Sequence, residues 1–287
     1  MSGIWKTEAG GESVRARYAQ FLQFWPAANE QLRLATGQGE TFVVACGPTD
    51  APPVLLLHGA LANSSSWMGD VAAWSQHFRL YAIDMIGEPG FSAPSRPPLD
   101  SEAYAIWLDE VLTGLGVKSA ALVGISLGGW LALDYATRRP ERVSALALLC
   151  PGGVGKRRNF LLWAAPLMLL GPWGQRMALK KLGGLALTEG ASPAAKAFGD
   201  FMRLIQASTR PRRDSLPRFS DEALSQLKQP LLAILGGKDA ILDSAGTRAR
   251  LTQNVSQADI RWRPDEGHFL FGQGPVIEAF LRQALAP

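Results

Sequence analysis

The chain has 287 residues, 47% of them hydrophobic and 19% charged, a globular balance that excludes disorder and allows one large domain with a buried core. The net charge of +4 comes from scattered basic residues, with small clusters at Lys156–Arg158 and Arg210–Arg213. Nucleic-acid binding would need a coherent basic stripe or a recognition motif, and the sequence has neither.

Residues 1–40 are mixed. Within them, Val14, Tyr18, Phe21, Leu22 and Trp25 have helical spacing, which predicts a helix from Ser13 to Trp25 that stops at Pro26. Thr41–Gly47 reads as a strand, Pro48–Pro53 as a turn-rich break, and Val54–Leu57 as a short, fully apolar strand. A rhythm then sets in. Arg79–Asp84 is a strand, Ser101–Leu115 a helix, Ala120–Gly124 a strand, Leu127–Arg138 a helix and Val143–Leu149 a strand. Leu231–Leu235 and Asp259–Trp262 continue the strands, and Pro275–Ala284 closes with a helix. Short apolar strands alternating with helices predict βαβ units and a doubly wound, mostly parallel sheet. The segment from Gly152 to about Asp221 lacks strand signals and reads as broken helices. Its apolar run (Phe160, Leu161, Leu162, Trp163, Leu167, Met168, Leu169, Leu170) exceeds what a solvated helix needs. We therefore expect a core domain at 1–151 and 222–287, with a helical cap at 152–221.

Cys46 and Cys150 lie in apolar stretches read as strands, so buried reduced thiols are expected rather than a disulfide framework. Most of the nine tryptophans are expected to pack the core. The first residues lack an apolar core and a cleavage pattern, so no signal peptide is expected. Phe160 to Leu170 is too short to span a bilayer and contains Pro166. The expectation is a cytoplasmic protein without stable membrane insertion.

Gly124-Ile125-Ser126-Leu127-Gly128 fits G-x-S-x-G. So short a pattern arises by chance, but this one follows an apolar strand and opens a helix, as a nucleophile elbow does. Side chains two residues either side of the serine would collide with the neighbouring strand and helix, hence the glycines. A serine that merely caps the helix is the alternative. A serine nucleophile needs a base, and histidine has a suitable pKa. Of the three histidines, His58, His77 and His268, only His268 lies C-terminal to Ser126, as the order serine, acid, histidine requires. The acid is Asp239, just past the strand Leu231–Leu235, with Asp243 the runner-up. The oxyanion donors are the N–H groups of Leu127 and Ala60, with Leu61 as a fallback for Ala60. His58 then has a scaffolding role. Asp84 to Ser92 is expected to shape the site wall and is assigned no chemistry.

These pieces together resemble the α/β-hydrolase superfamily along almost the whole chain. The matching segments are LLLHGAL (55–61), DMIGEPGFS (84–92), VGISLGGW (123–130), RRPERVSALALL (138–149), LGGKD (235–239) and EGH (266–268). More closely, the chain is similar to bacterial carboxylesterases of the carboxylesterase NP type. That resemblance extends to the helix around Tyr18–Trp25 and to VVACGPTDAPPVLLLHGAL (43–61). It implies an α/β-hydrolase fold with the cap inserted after the sixth strand. It also implies hydrolysis of small hydrophobic carboxylic esters, including aryl-propionate esters, with Ser126 and His268 as nucleophile and base. No metal or organic cofactor is required, and the oligomeric state is left open. The same scaffold carries thioesterases, C–C bond hydrolases, perhydrolases and non-catalytic binding proteins. Dehalogenases and epoxide hydrolases of this fold need aspartate at the elbow, so Ser126 argues against both.

Overall fold

The computed structural model describes residues 3–158, 165–167, 169–182 and 192–286. Its centre is an eight-stranded sheet in the order β1-β2-β4-β3-β5-β6-β7-β8. The strands are β1 (Asn29–Thr36), β2 (Gly39–Cys46), β3 (Pro53–Leu57), β4 (Arg79–Ile83), β5 (Ala120–Ile125), β6 (Val143–Leu149), β7 (Leu231–Gly236) and β8 (Ala258–Arg263). β1 and β2 form an antiparallel hairpin, and β2 pairs antiparallel with β4. From β4 through β8 every pairing is parallel.

The helices are α1 (Glu8–Gln23), α2 (Val71–Trp74), α3 (Ala103–Gly114), α4 (Leu127–Arg138), α5 (Gly171–Leu182), α6 (Pro193–Ser208), α7 (Asp221–Ser225), α8 (Ser244–Asn254) and α9 (Gly274–Ala284). They cover both faces of the sheet, so its central strands are mostly apolar. Alternation along β3 sorts the side chains. Leu55 and Leu57 pack with Trp107 of α3 and Leu131 of α4 on one face. Val54 and Leu56 pack with Tyr18 of α1 and Ile277 of α9 on the other. Trp67, Trp74, Trp107 and Trp130 are fully buried, as a core role requires. Cys46 and Cys150 are buried free thiols.

Most predicted elements stand within one or two residues of their expected ends. The N-terminal helix starts earlier than Ser13, because the Thr7 hydroxyl caps it by accepting from the Gly10 N–H at 3.0 Å. The unpredicted β1 is a polar edge strand with no fully buried residue. The unpredicted α8 buries only Ser244, Thr247 and Leu251.

The helices α5 and α6 fall between β6 and β7. Phe201 of α6 stacks on Tyr18 and Phe21 of α1, at ring-centroid distances of 6.3 and 5.0 Å. This helix is therefore anchored on the same face of the sheet as α1. Of the apolar run noted in the sequence, Phe160–Trp163 and Met168 lie outside the described residues. Leu169 and Leu170 are exposed rather than buried. Among the described residues, no helix is long and apolar enough to cross a membrane.

Parallel pairing aligns the carboxyl ends of β3, β4, β5, β7 and β8 along one edge. The loops that leave this edge carry His58, Asp84, Ser126, Asp239 and His268.

Candidate active site

Ser126 occupies the turn between β5 and α4 with φ 52° and ψ −102°. This left-handed backbone is costly for a residue with a side chain and marks a strained turn. The Ser126 N–H donates to the Leu149 carbonyl at 2.9 Å, and its own carbonyl accepts from Trp130 and Gly152 N–H. These bonds hold the turn in its strained form. A Cβ on Gly128 would lie 2.1 Å from the Leu57 carbonyl oxygen, and one on Gly124 would lie 2.5 Å from the Gly128 carbonyl oxygen. Both distances are impossible for real atoms. The glycines are thus explained by the strand and helix contacts expected of an elbow.

His268 bridges the serine and an acid. Its Nε2 is 3.2 Å from Ser126 Oγ and its Nδ1 is 2.8 Å from Asp239 Oδ2. The other Asp239 oxygen, Oδ1, accepts from the Ile241 and Leu242 N–H groups at 2.8 and 2.9 Å. The acid loop and the histidine loop are tied together by the Lys238 N–H, which donates to the Glu266 carbonyl at 2.9 Å. His268 and Asp239 are both buried. Burial opposes the imidazolium, but the adjacent Cys150 sulfur and the Asp239 carboxylate outweigh it, so the His268 pKa is raised. Asp243 is elsewhere. It caps α8 by accepting from the Gly246 N–H at 3.1 Å, and it lies 4.0 Å from Arg158.

Leu127 is the first residue of α4, so its N–H has no acceptor within the helix. Ala60 is exposed in the loop after β3, and no hydrogen bond among the described residues engages its N–H. The Leu61 N–H is taken: it donates to Glu88 Oε2 at 2.7 Å. Leu61 itself has φ 55°.

His58 is buried, and burial lowers its pKa. Its Nδ1–H donates to the Gly59 carbonyl at 2.8 Å, and its Nε2 accepts from the Met85 N–H at 3.0 Å. It braces the loop after β3 against the loop after β4, which is the scaffolding role expected. His77 lies at the surface, 3.5 Å from Glu278.

Sequence reasoning missed the weight carried by Asp84 and Glu88. Asp84 Oδ1 accepts from the Tyr18 hydroxyl, the Ser64 N–H and the Ser64 hydroxyl at 2.9, 2.9 and 2.7 Å. Its Oδ2 accepts from the Phe91 N–H at 2.9 Å. Burial and the adjacent Asp84 push the Tyr18 phenol far up, so Tyr18 is a fixed donor. Glu88 is buried beside the guanidinium groups of Arg96 and Arg212. Burial pushes its carboxyl up, while the Leu61 N–H and the two arginines oppose that shift. A cavity of about 10 Å³, room for one water molecule, lies against Glu88, Tyr104, Leu127 and Trp130.

Cys150 Sγ, Asp239 and His268 offer ligand atoms within 4.8 Å of one another, which is the spacing of a small soft-metal site. The imidazole and carboxylate of that group are, however, already hydrogen-bonded to each other.

A model of the alpha/beta hydrolase family matches residues 54–278. The chain belongs to that family. The hydrolase is 31% identical to carboxylesterase YbfK of Bacillus subtilis over 266 residues, 90% of this chain and 88% of that protein. The crystal structure of naproxen esterase (carboxylesterase NP) from Bacillus subtilis superimposes with a TM-score of 0.82 at 28% identity, covering 98% of this chain and 99% of that one. The structure of carboxylesterase CesB (YbfK) gives a TM-score of 0.80 over 97% and 99% of the two chains. With carboxylesterases among its relatives along nearly its full length, this α/β hydrolase is a hydrolytic enzyme.

Proposed function

We propose that the enzyme hydrolyses small hydrophobic carboxylic esters through an acyl-enzyme, with Ser126 as nucleophile, His268 as base and Asp239 as the orienting acid. The observation that carries this reading is His268, hydrogen-bonded through one ring nitrogen to Ser126 and through the other to Asp239. The relatives named carboxylesterases support the ester class. The name naproxen esterase supports an aryl-bearing acyl group.

His268 Nε2 takes the Ser126 hydroxyl proton as Oγ attacks the acyl carbonyl. Negative charge builds on the carbonyl oxygen, and the Ala60 and Leu127 N–H groups hold it. The start of α4 adds the positive end of its dipole. The tetrahedral adduct collapses, and the imidazolium gives its proton to the departing alkoxide. A water molecule then loses a proton to His268 as it attacks the acyl-enzyme. Collapse releases the acid and returns the proton to Ser126 Oγ. Asp239 keeps the Nδ1–H pointed at itself throughout, which leaves Nε2 free to accept. In this reading residues 152–221 cap the core formed by 1–151 and 222–287.

Turnover of a panel of p-nitrophenyl esters by the wild type and by Ser126→Ala tests the reading. The expected loss in kcat is about 10⁴-fold or more. Wild-type rates in the variant would overturn it.

A further inference from the structure

Glu88 has no place in the reaction described above, yet its carboxylate touches the loop that carries Ala60. Three observations bear on it. Its Oε2 accepts the Leu61 N–H at 2.7 Å, a short, charge-assisted bond. The Leu61 backbone has φ 55°, a conformation that an L residue holds only when its surroundings impose it. The carboxylate is 2% exposed and is held from behind by Arg212, whose Nε lies 3.9 Å from Oε1. Arg212 is itself buried, hydrogen-bonded to the Tyr104 hydroxyl and 3.5 Å from Asp214. Arg96 adds a second positive charge, and its Nε donates to the Gly87 carbonyl at 2.8 Å.

Two neighbouring amides, Ala60 and Leu61, could compete for a developing oxyanion. A buried carboxylate beside an oxyanion hole would normally be harmful, because it repels the charge being stabilised. Here Oε2 is engaged by the Leu61 N–H, Oε1 is buried without a hydrogen bond and faces Arg212 Nε, and two guanidinium groups offset the charge.

We propose that Glu88 is a positioning residue for the oxyanion hole: it binds the Leu61 N–H, holds the Ala60–Leu61 turn in its left-handed form, and so leaves the Ala60 N–H as the donor to the reacting carbonyl. The proposal rests on the serine-hydrolase reading and deepens it. Arg212 arrives from the segment that returns from α6 to the core, so the same carboxylate links the inserted helices to the oxyanion loop.

Two substitutions separate this role from simple support of the fold. Glu88→Gln and Glu88→Ala both remove the charge that faces Arg212. Only Glu88→Ala removes the oxygen that accepts the Leu61 N–H. Steady-state kinetics on a p-nitrophenyl ester should show kcat of Glu88→Ala down by about 10- to 100-fold, less than the roughly 10²–10³ of deleting a donor outright. KM should stay within about threefold, and Glu88→Gln should keep kcat within about fivefold of the wild type, as expected when an uncharged acceptor replaces a charged one. Equal kcat in the two variants, or a loss confined to KM, overturns the proposal.

A second measurement on the wild type does not depend on how well the alanine variant folds. The enzyme is ¹⁵N-labelled at alanine and leucine and phosphonylated with a fluorophosphonate. The Ala60 and Leu127 amide protons should move downfield in the adduct while that of Leu61 stays put. A moving Leu61 signal with a static Ala60 signal overturns the proposal. A wild-type enzyme that neither turns over the ester nor takes the phosphonate overturns the serine-hydrolase reading and this inference with it. An active wild type with equal losses in both variants overturns the Glu88 inference alone.

Discussion

Replacing Asp239 by asparagine should disable the enzyme through the histidine tautomer, without removing any side-chain volume. Asp239 Oδ1 accepts two backbone N–H groups, from Ile241 and Leu242, at 2.8 and 2.9 Å. The amide oxygen of an asparagine must take that position, because an NH₂ group there would face two donors. The NH₂ group is then turned toward His268 Nδ1, where Oδ2 now stands at 2.8 Å. Two donors cannot share that contact, so Nδ1 must lose its proton and Nε2 must carry it. An Nε2–H cannot accept the Ser126 proton across the 3.2 Å contact. The expected loss in kcat is about 10⁴-fold, or about 5.4 kcal/mol at about 1.36 kcal/mol per decade. Asp243→Asn is the matched control. Asparagine caps a helix as well as aspartate does, so its kcat should stay within about twofold. Both are read from steady-state hydrolysis of a p-nitrophenyl ester, with thermal melts to establish folding. An Asp239→Asn enzyme that keeps a tenth of wild-type kcat would refute the tautomer argument. A loss at Asp243 instead would move the acid there.

The pH profile gives a second check. The base is active when neutral, so kcat/KM is lost as pH falls through the His268 pKa. That pKa is raised, so the acid limb should have its midpoint above the ordinary histidine value of about 6.5. A midpoint below it would contradict the ion-pair geometry. Gly128→Ala would set a Cβ 2.1 Å from the Leu57 carbonyl oxygen and should cost about 1–3 kcal/mol in urea unfolding, together with a large loss of kcat. Unchanged stability would mean that the elbow has room. Asp84→Ala strands the buried Tyr18 and Ser64 donors and should destabilise by about 3 kcal/mol or more, at about 1–3 kcal/mol for each unsatisfied group. A loss under about 1 kcal/mol would mean that those donors find other partners.

The parts of the fold legible in the sequence are those whose burial writes a pattern. β3 and β5 are covered on both faces, so each appears as an unbroken apolar run, and β4 does so after Arg79. The elbow was readable because glycines are forced at Gly124 and Gly128 by backbone atoms close by. β1 was not readable, because one edge of the sheet buries no complete side chain. α8 was missed for the same reason, since SAGTRARLTQN has no apolar stripe. Ser126, His268 and Asp239 could be picked out because the order of strands and loops constrains them. Asp84 and Glu88 could not, because partners such as Tyr18, Ser64, Leu61 and Arg212 come from segments far away in the chain. In the inserted segment Leu169 and Leu170 are exposed, while Phe201 and Ile205 of α6 are buried.

The acyl-enzyme mechanism requires Ser126 to carry the acyl group. Rapid quenching during p-nitrophenyl ester turnover, followed by intact and peptide mass analysis, measures this. A burst of about one equivalent of nitrophenol is expected when deacylation is the slower step, with a mass increase of one acyl group that maps to the peptide containing Ser126. An acyl group on another residue, or unimpaired turnover by an enzyme with Ser126 replaced, would contradict it.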